Sequence, residues 1–561
     1  MSMQSTVERW TARVTDPEIA AQLSALVASG DASALEDAFF QDLSFGTAGL
    51  RGVLGPGTNR MNVYTVGKAT QGVADYLKAH FEHPTVAIAR DSRNNGELFV
   101  RTTAAILAAN GVRALLFPRI EPVPALSFAV RDLGASAGIV MTASHNPAEY
   151  NGYKVYGADG CQITSDAADE ISAAISTVDP FDGVVSGSFD DFVDQGLISW
   201  IDDAVLDRFL DAELAASLAD PEAADVPLKL VYTPLNGTGL ELNSRMFERI
   251  GVTDVTVVPE QRDPDGNFPT CPYPNPEIRE AMQKGIELCE QVHPDLLLAT
   301  DPDADRVGVA CKDGDDYTLL TGNEMGILML DYICKMRAAR GTLRSDAIAV
   351  STIVSTVMID AIAAHYGISI VRTLTGFKYI GNVLNDLAAK GELDRYVLGF
   401  EESYGYCPGT HVRDKDSIGA SMIICQMAQH YKKQGMNLVD AIEALYQRYG
   451  YYRNRTISIA YPGADGARSM AKIMDRLHSQ PPADIAGHPV EAVVDYANGY
   501  KGLPKANVVE FQLPDTNKVI IRPSGTEPKI KAYLFAKAPA EAEADALLDV
   551  LEAAARSLLQ A

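Results

Sequence analysis

The strongest constraint on how this chain can fold is a set of short apolar runs, each emptying abruptly into a polar loop. Ala137-Gly-Ile-Val-Met141, Leu296-Leu-Leu-Ala-Thr300 and Tyr396-Val-Leu-Gly-Phe400 are too brief for helices and read as buried strands. Strand-like Thr85–Ala89, a helical stretch from Gly96 to Asn110 stopped by Gly111, and strand-like Ala114–Phe117 add a βαβ rhythm. That rhythm predicts largely parallel or mixed sheets. In such sheets, ligands bind beyond the carboxyl ends of the strands, so the loops ending these runs hold the chemistry.

The first such loop is Thr142-Ala-Ser-His-Asn-Pro147, whose Asn-Pro breaks the chain and leaves Ser144 as an exposed loop hydroxyl. Serine and asparagine also serve as turn caps, and that plainer role stays open for the loop alone. Asn151-Gly152 follows as a hairpin turn into a short strand carrying Lys154. Upstream, Leu43-Ser-Phe-Gly-Thr-Ala-Gly-Leu-Arg51-Gly52 joins three glycines to one arginine, a combination that lets backbone amides approach an anion. Before it, Asp16-Pro17 opens a helix with Ile19, Leu23, Leu26 and Val27 on one face and Gly30 as its stop.

A second segment restarts with the strand Leu228–Thr233 and the turn Pro234–Gly239, then crosses a long loop at Asp263–Pro276. The run Leu296–Thr300 ends in Asp301-Pro-Asp303-Ala-Asp305-Arg306. Three alternate carboxylates on a tight turn converge on one hard cation, and so few protein ligands leave its coordination open to a phosphoryl group. A solvated acidic turn is the plainer alternative. The third segment carries strand-like Ala347–Val354, the loop from Thr373 through Thr375, Gly376 and Lys378, and the run ending in Glu401-Glu-Ser403. Carboxylates there can accept from vicinal sugar hydroxyls. Lys415 lies near the start of an apolar helical stretch.

From Tyr451 the pattern changes. Alternation over Thr456–Ala460, Val508–Leu513 and Val519–Ile521 predicts an antiparallel sheet, and Leu547, Val550, Leu551 and Leu558 mark a last amphipathic helix. Between them, Arg522-Pro-Ser524-Gly525-Thr526-Glu-Pro-Lys529 offers an arginine, hydroxyls and turn amides to a phosphate. Domain ends are expected at 205, 322 and 450, giving 1–205, 206–322, 323–450 and 451–561.

Composition narrows the partners. A net charge of −26 over 561 residues argues against nucleic acid or an anionic membrane and requires any phosphate site to be locally basic. Arg51, Lys154, Arg306, Lys378, Lys415, Arg522 and Lys529 meet that requirement. No run of eighteen apolar residues occurs, and the polar first thirty residues lack a signal-peptide core. Seven scattered cysteines without a Cys-x-x-Cys pair argue for reduced thiols in a cytoplasm and against a disulfide frame or a zinc site.

Thr142–Pro147, Asp301–Arg306, Gly399–Gly405 and Arg522–Thr526, in that order, resemble the motifs of the α-D-phosphohexomutases, the superfamily of phosphoglucomutases and phosphomannomutases. The resemblance spans nearly the whole chain. It implies an α/β protein of four domains around a central cleft, three similar mixed α/β domains and a smaller C-terminal α+β domain. The implied reaction interconverts glucose 1-phosphate and glucose 6-phosphate through a phosphoserine enzyme and a glucose 1,6-bisphosphate intermediate, which also activates. Mannose or pentose phosphates are the alternatives within the family. A metal-dependent sugar phosphatase and a non-catalytic sugar-phosphate binder are the alternatives outside it.

Carried onto this sequence, the resemblance makes Ser144 the phosphoryl carrier. It makes Asp301, Asp303 and Asp305 the ligands of one Mg2+, joined by the phosphoserine. Arg51, His145 and Lys154 fall at catalytic positions, with His145 or Lys154 as the base. Arg306, Thr375, Gly376, Lys378, Glu401, Ser403, Lys415, Arg522, Ser524, Gly525, Thr526 and Lys531 fall at substrate positions. Pro302 and Ala304 depart from the glycines usual in the metal loop, and the histidine that follows the sugar loop in bacterial phosphomannomutase-type members is absent, which favours glucose.

Overall fold

The computed structural model describes residues 2–46, 49–461, 463–524 and 529–560, and the chain divides into two compact units. The first comprises Met1–Leu320, Ile380–Leu393 and Gly405–His430. Among the described residues two sheets lie wholly within it. In the larger, the strands run in the order Gly49–Val53, Tyr150–Gly157, Ala137–Met141, Thr85–Arg90, Arg113–Leu116 and Ile198–Trp200. The last four are parallel, while Tyr150–Gly157 is antiparallel to both its neighbours. The predicted βαβ rhythm is therefore present, with the helix Gly96–Ala109 between two parallel strands. Every residue of Ala137–Met141 is buried, as a strand covered on both faces requires.

The smaller sheet orders Asp316–Leu320, Val307–Asp313, Leu296–Thr300, Lys229–Thr233 and Asp254–Val257. Leu296–Thr300 pairs parallel with Lys229–Thr233 and antiparallel with Val307–Asp313. The acidic turn Asp301–Arg306 thus links two adjacent antiparallel strands, and its geometry is fixed at both ends.

The second unit comprises Thr321–Tyr379, Asp394–Tyr404 and Tyr431–Ala561. Ile348–Thr352 lies between Ser369–Thr373 and Tyr396–Glu401, parallel to both. Beyond them, Tyr451–Ala460, Lys529–Ala538, Lys518–Pro523, Val509–Gln512 and Ala492–Asp495 form the predicted antiparallel sheet. Its core gathers Ile457, Val509, Ile521, Leu548 and Leu551 under the last helix, Glu541–Leu558.

Some expectations fail locally. Val27 and Val550 are exposed, at 42% and 49%, because each lies at the edge of its helix's apolar stripe. Trp200 ends the strand Ile198–Trp200, and the helix Ala204–Ala215 follows it. Asn151-Gly152 is no hairpin turn; both residues sit inside the strand Tyr150–Gly157. The glycine is needed there for close approach, since a Cβ would lie 2.4 Å from the Thr142 carbonyl oxygen.

Candidate active site

Ser144 adopts φ 53°, in the left-handed region that costs a non-glycine residue roughly 1 kcal/mol. What holds it there is Arg93, which the sequence reading did not single out. Its Nη2 donates to the carbonyl oxygens of Ser144 (2.7 Å) and Asn146, and its Nη1 to those of Pro147 (2.8 Å) and Tyr150 (2.9 Å). One guanidinium thus holds four backbone carbonyls, from Ser144 to the start of the next strand at Tyr150. Asp91 lies 3.4 Å from Arg93 Nε, with both side chains fully buried, and the Phe268 ring sits 5.1 Å from the guanidinium carbon. Burial pushes Asp91 up to about 6 against the pull of Arg93. The available signal was Asp91-Ser-Arg93 itself, a charged pair just past the strand Thr85–Arg90.

The loop presents Ser144 Oγ 3.1 Å from Asp301 Oδ2 and 3.1 Å from His145 Nδ1. The residue is only 2% exposed, so the hydroxyl expected on an open loop is enclosed. Thr142 ties the two loops together, accepting from Ser144 N (2.8 Å) and donating to Asp303 Oδ2 (3.1 Å).

The acidic turn is equally constrained. Asp301 Oδ1 accepts from the amides of Asp305 (3.1 Å) and Arg306 (3.0 Å), so one carboxylate folds the turn on itself. Pro302 O accepts from Thr238 N (2.9 Å), and a Cβ on Gly237 would come within 2.4 Å of Pro302 Cα. Ala304 sits at φ 50°, where glycine would be unstrained, and its carbonyl accepts from Ser417 Oγ at 2.5 Å. The three aspartates offer oxygens that all lie within 4.8 Å of one another. Asp303 Oδ1 and Asp305 Oδ1 are buried without a hydrogen-bond donor among the described residues. Converging, unsatisfied carboxylate oxygens fit a hard divalent cation.

Cations surround this cluster. Lys154 Nζ lies 2.9 Å from Asp303 Oδ2, and Lys415 Nζ lies 3.1 Å from both Asp305 Oδ2 and Asp414 Oδ1. Burial pushes Asp303 up, but Lys154 outweighs it and leaves the group well below the carboxylate range. Burial and its two acidic neighbours hold Asp301 well above that range. His145 stays neutral, driven well below its ordinary value by burial and by Arg306 and Arg51. Arg51 Nη1 donates to Asn146 Oδ1 at 3.0 Å, and Arg306 Nη1 to Glu277 Oε1 at 2.5 Å. Ser144, His145, Arg51, Lys154, Arg306, Lys415 and the three aspartates are therefore brought together within the first unit.

Within the second unit, Gly376 N donates to Glu401 Oε1 at 2.8 Å, joining the two halves of the expected sugar-facing loops. Thr375 Oγ1 is buried without a hydrogen-bond partner among the described residues, Lys378 is buried, and Ser403 is half-buried just past the strand Tyr396–Glu401. Arg522 and Lys531 are cross-strand partners, and Ser524 N donates to Lys529 O at 2.8 Å. Gly525 and Thr526 lie outside the described residues.

The chain matches three family models in succession, described as phosphoglucomutase/phosphomannomutase alpha/beta/alpha domains I, II and III, over residues 42–181, 207–314 and 321–449. A phosphoglucomutase of Staphylococcus aureus (strain bovine RF122 / ET3-1) is 34% identical over 516 residues, covering 90% of this chain and 91% of its own. A Haemophilus influenzae protein named a probable phosphomannomutase is 36% identical over 506 residues, 89% of this chain and 98% of its own. The fold resembles that of Paramecium parafusin, a phosphoglucomutase solved in an open form, with a TM-score of 0.69 at 17% identity over 92% of this chain and 95% of that one. Ordered motifs, matched domains and relatives along the whole length agree: the chain belongs to the phosphoglucomutase/phosphomannomutase family of α-D-phosphohexomutases, and it is a mutase of the isomerase class.

Proposed function

We infer that this mutase interconverts glucose 1-phosphate and glucose 6-phosphate, with Ser144 carrying the phosphoryl group. The observation that supports this most is Ser144 Oγ held 3.1 Å from both Asp301 and a neutral histidine, on a loop whose strain is fixed by Arg93. In the forward half-reaction a sugar hydroxyl takes the phosphoryl group and gives up its proton, which passes to the departing Ser144 Oγ as that P–O bond breaks and glucose 1,6-bisphosphate forms. The intermediate reorients, and Ser144 Oγ accepts the other phosphoryl group while its proton passes to a base. His145 suits that proton better than Lys154, because its Nδ1 lies 3.1 Å from Oγ on a ring that burial keeps neutral, whereas Lys154 is paired with Asp303.

Asp301, Asp303 and Asp305 would hold Mg2+, joined by the phosphoserine, and the ion when bound supplies Lewis-acid stabilisation of phosphoryl charge. Lys154, Lys415, Arg306 and Arg51 supply positive charge to phosphate within the same unit. Arg522, Lys531 and Ser524, with Gly525 and Thr526, form the anchor for the second phosphate, and added glucose 1,6-bisphosphate keeps Ser144 phosphorylated. Thr375, Gly376, Lys378, Glu401 and Ser403 bind the sugar. The domain ends proposed are those at 205, 322 and 450, and the compartment proposed is the cytoplasm. A mannose 1-phosphate preference is the second reading, favoured by the Haemophilus relative at 36% identity.

Coupled assays on glucose 1-phosphate, mannose 1-phosphate and ribose 1-phosphate separate the substrates. Ser144→Ala should retain the fold and lose at least ~1000-fold in turnover with glucose 1-phosphate, with phosphate found by intact mass on the unmutated chain only. Turnover near the unmutated level in Ser144→Ala would exclude the carrier role.

A further inference from the structure

A second acidic cluster lies in the first unit, apart from the three aspartates. The helix Ala204–Ala215 buries Val205, Leu206, Phe209 and Leu210 on one stripe and then, on the same stripe, Glu213, which is fully buried. A carboxylate on an apolar stripe is costly unless something compensates it. What it meets is His411, whose Nε2 lies 2.8 Å from Glu213 Oε1 and 4.0 Å from Asp416 Oδ2. Asp416 is 1% exposed; its Oδ1 caps the following helix, accepting from the amides of Ile418 (3.0 Å) and Gly419 (3.1 Å). Its other oxygen is thereby turned toward Glu213.

Among the described residues no N–H or O–H outside the trio is aligned on either Glu213 oxygen, on Asp416 Oδ2 or on His411 Nε2, so these buried atoms face only one another, and the two carboxyls are close enough to share a proton. The ligand atoms of all three residues fall within 4.8 Å of one another. Space is kept for them by glycine, because a Cβ on Gly419 would stand 2.3 Å from Glu213 Oε2 and 2.7 Å from Asp416 Oδ2. The His411 side chain retains 13% exposure, which gives an ion a way in.

We propose that Glu213, His411 and Asp416 form a second cation site, selective for a transition metal such as Zn2+ or Co2+. Imidazole beside two carboxylates is a donor set for those ions, whereas Mg2+ prefers oxygen alone, as at Asp301, Asp303 and Asp305. One divalent ion balances two buried carboxylates, which otherwise keep a proton: burial pushes Glu213 up to about 7 and holds Asp416 well above the carboxylate range. Burial also lowers His411 to about 4, leaving its imidazole unprotonated for a ligand role.

The probe is Co2+ added to chelator-stripped full-length protein in excess Mg2+, followed by desalting. The unmutated chain should keep about one Co2+ and show visible d–d absorption stronger than an octahedral all-oxygen site gives. Glu213→Gln and His411→Ala should each bind at least about tenfold more weakly and lose that spectrum, while Asp303→Asn keeps both. His411→Ala decides should Glu213→Gln fail to fold, since the His411 side chain is the one of the three that reaches solvent. No Co2+ retained by the unmutated chain, an unchanged spectrum in His411→Ala, or loss of Co2+ only in Asp303→Asn would overturn the proposal.

Discussion

The two carboxylate clusters of the first unit contain similar acids and differ in their cations. At Asp301, Asp303 and Asp305, two lysines reach in from separate elements, and Lys154 overrides burial to keep Asp303 ionised. At Glu213 and Asp416 the base paired with them among the described residues is a histidine that burial keeps neutral, and both acids shift upward. Burial is nearly complete at each. Asp301 and Asp305 nevertheless shift upward as Glu213 and Asp416 do, so only Asp303, paired directly with Lys154, has a cation that outweighs burial and its acidic neighbours.

Stripping the first cluster of a cation should make it resemble the second, and this carries the largest effect. Lys154→Met should let Asp303 take up a proton and should lower turnover by about 100–10,000-fold, in the range for losing a charged group at the reacting centre. Mg2+ titrations of activity should shift to higher concentration. A variant with unchanged turnover and Mg2+ dependence would show that Lys154 does not set the state of Asp303.

Arg93 tests whether the first cluster needs its loop held as well as charged. Arg93→Ala leaves Asp91 buried without its counter-charge and four carbonyls without a donor, a loss expected to cost about 3–5 kcal/mol. Denaturant midpoints measure it. Arg93→Lys should recover little, since one ammonium cannot bridge four carbonyls from a single planar fork. At a permissive temperature the surviving fold should show a turnover loss larger than its change in KM, because Ser144 is mispositioned rather than substrate binding removed.

Much of the first cluster was legible beforehand because its ligands sit close in sequence. Asp301, Asp303 and Asp305 occupy one turn between two strands, and Ser144 follows a run that can only be a buried strand. Arg93 and Glu213 were not legible, because each acts on residues far along the chain: Arg93 on Ser144–Tyr150, Glu213 on His411 and Asp416. No local spacing encodes such a pair. Asn151-Gly152 misled for the same reason, since its glycine answers to the backbone of Thr142 across the sheet rather than to a turn. The strands and the final helix were recoverable from periodicity, whereas helix edges such as Val27 and Val550 depend on which neighbours cover them.

Glu121 offers an intermediate case and the smallest expected effect. It is 2% exposed, and Arg119 Nε lies 3.1 Å from its Oε1. The same guanidinium also holds Asp203 at 2.8 Å and Glu241 at 2.9 Å, so a single half-exposed cation is divided among three acids. Burial accordingly pushes Glu121 up to about 8 in spite of Arg119. Because the folded value lies above the unfolded one of 4.5, folding takes up a proton between those two pH values. The stability this contributes is fully present below pH 4.5 and is lost as pH rises toward 8. Glu121→Gln, neutral throughout, should remove that decline, leaving the variant more stable than the unmutated chain at pH 8 by about 1–2 kcal/mol, less than the full shift because solvent and side chains relax around the charge. Thermal melts at pH 5 and pH 8 on both proteins read the difference. Equal pH dependence in the two would mean that Arg119, though shared, keeps Glu121 ionised as firmly as Lys154 keeps Asp303.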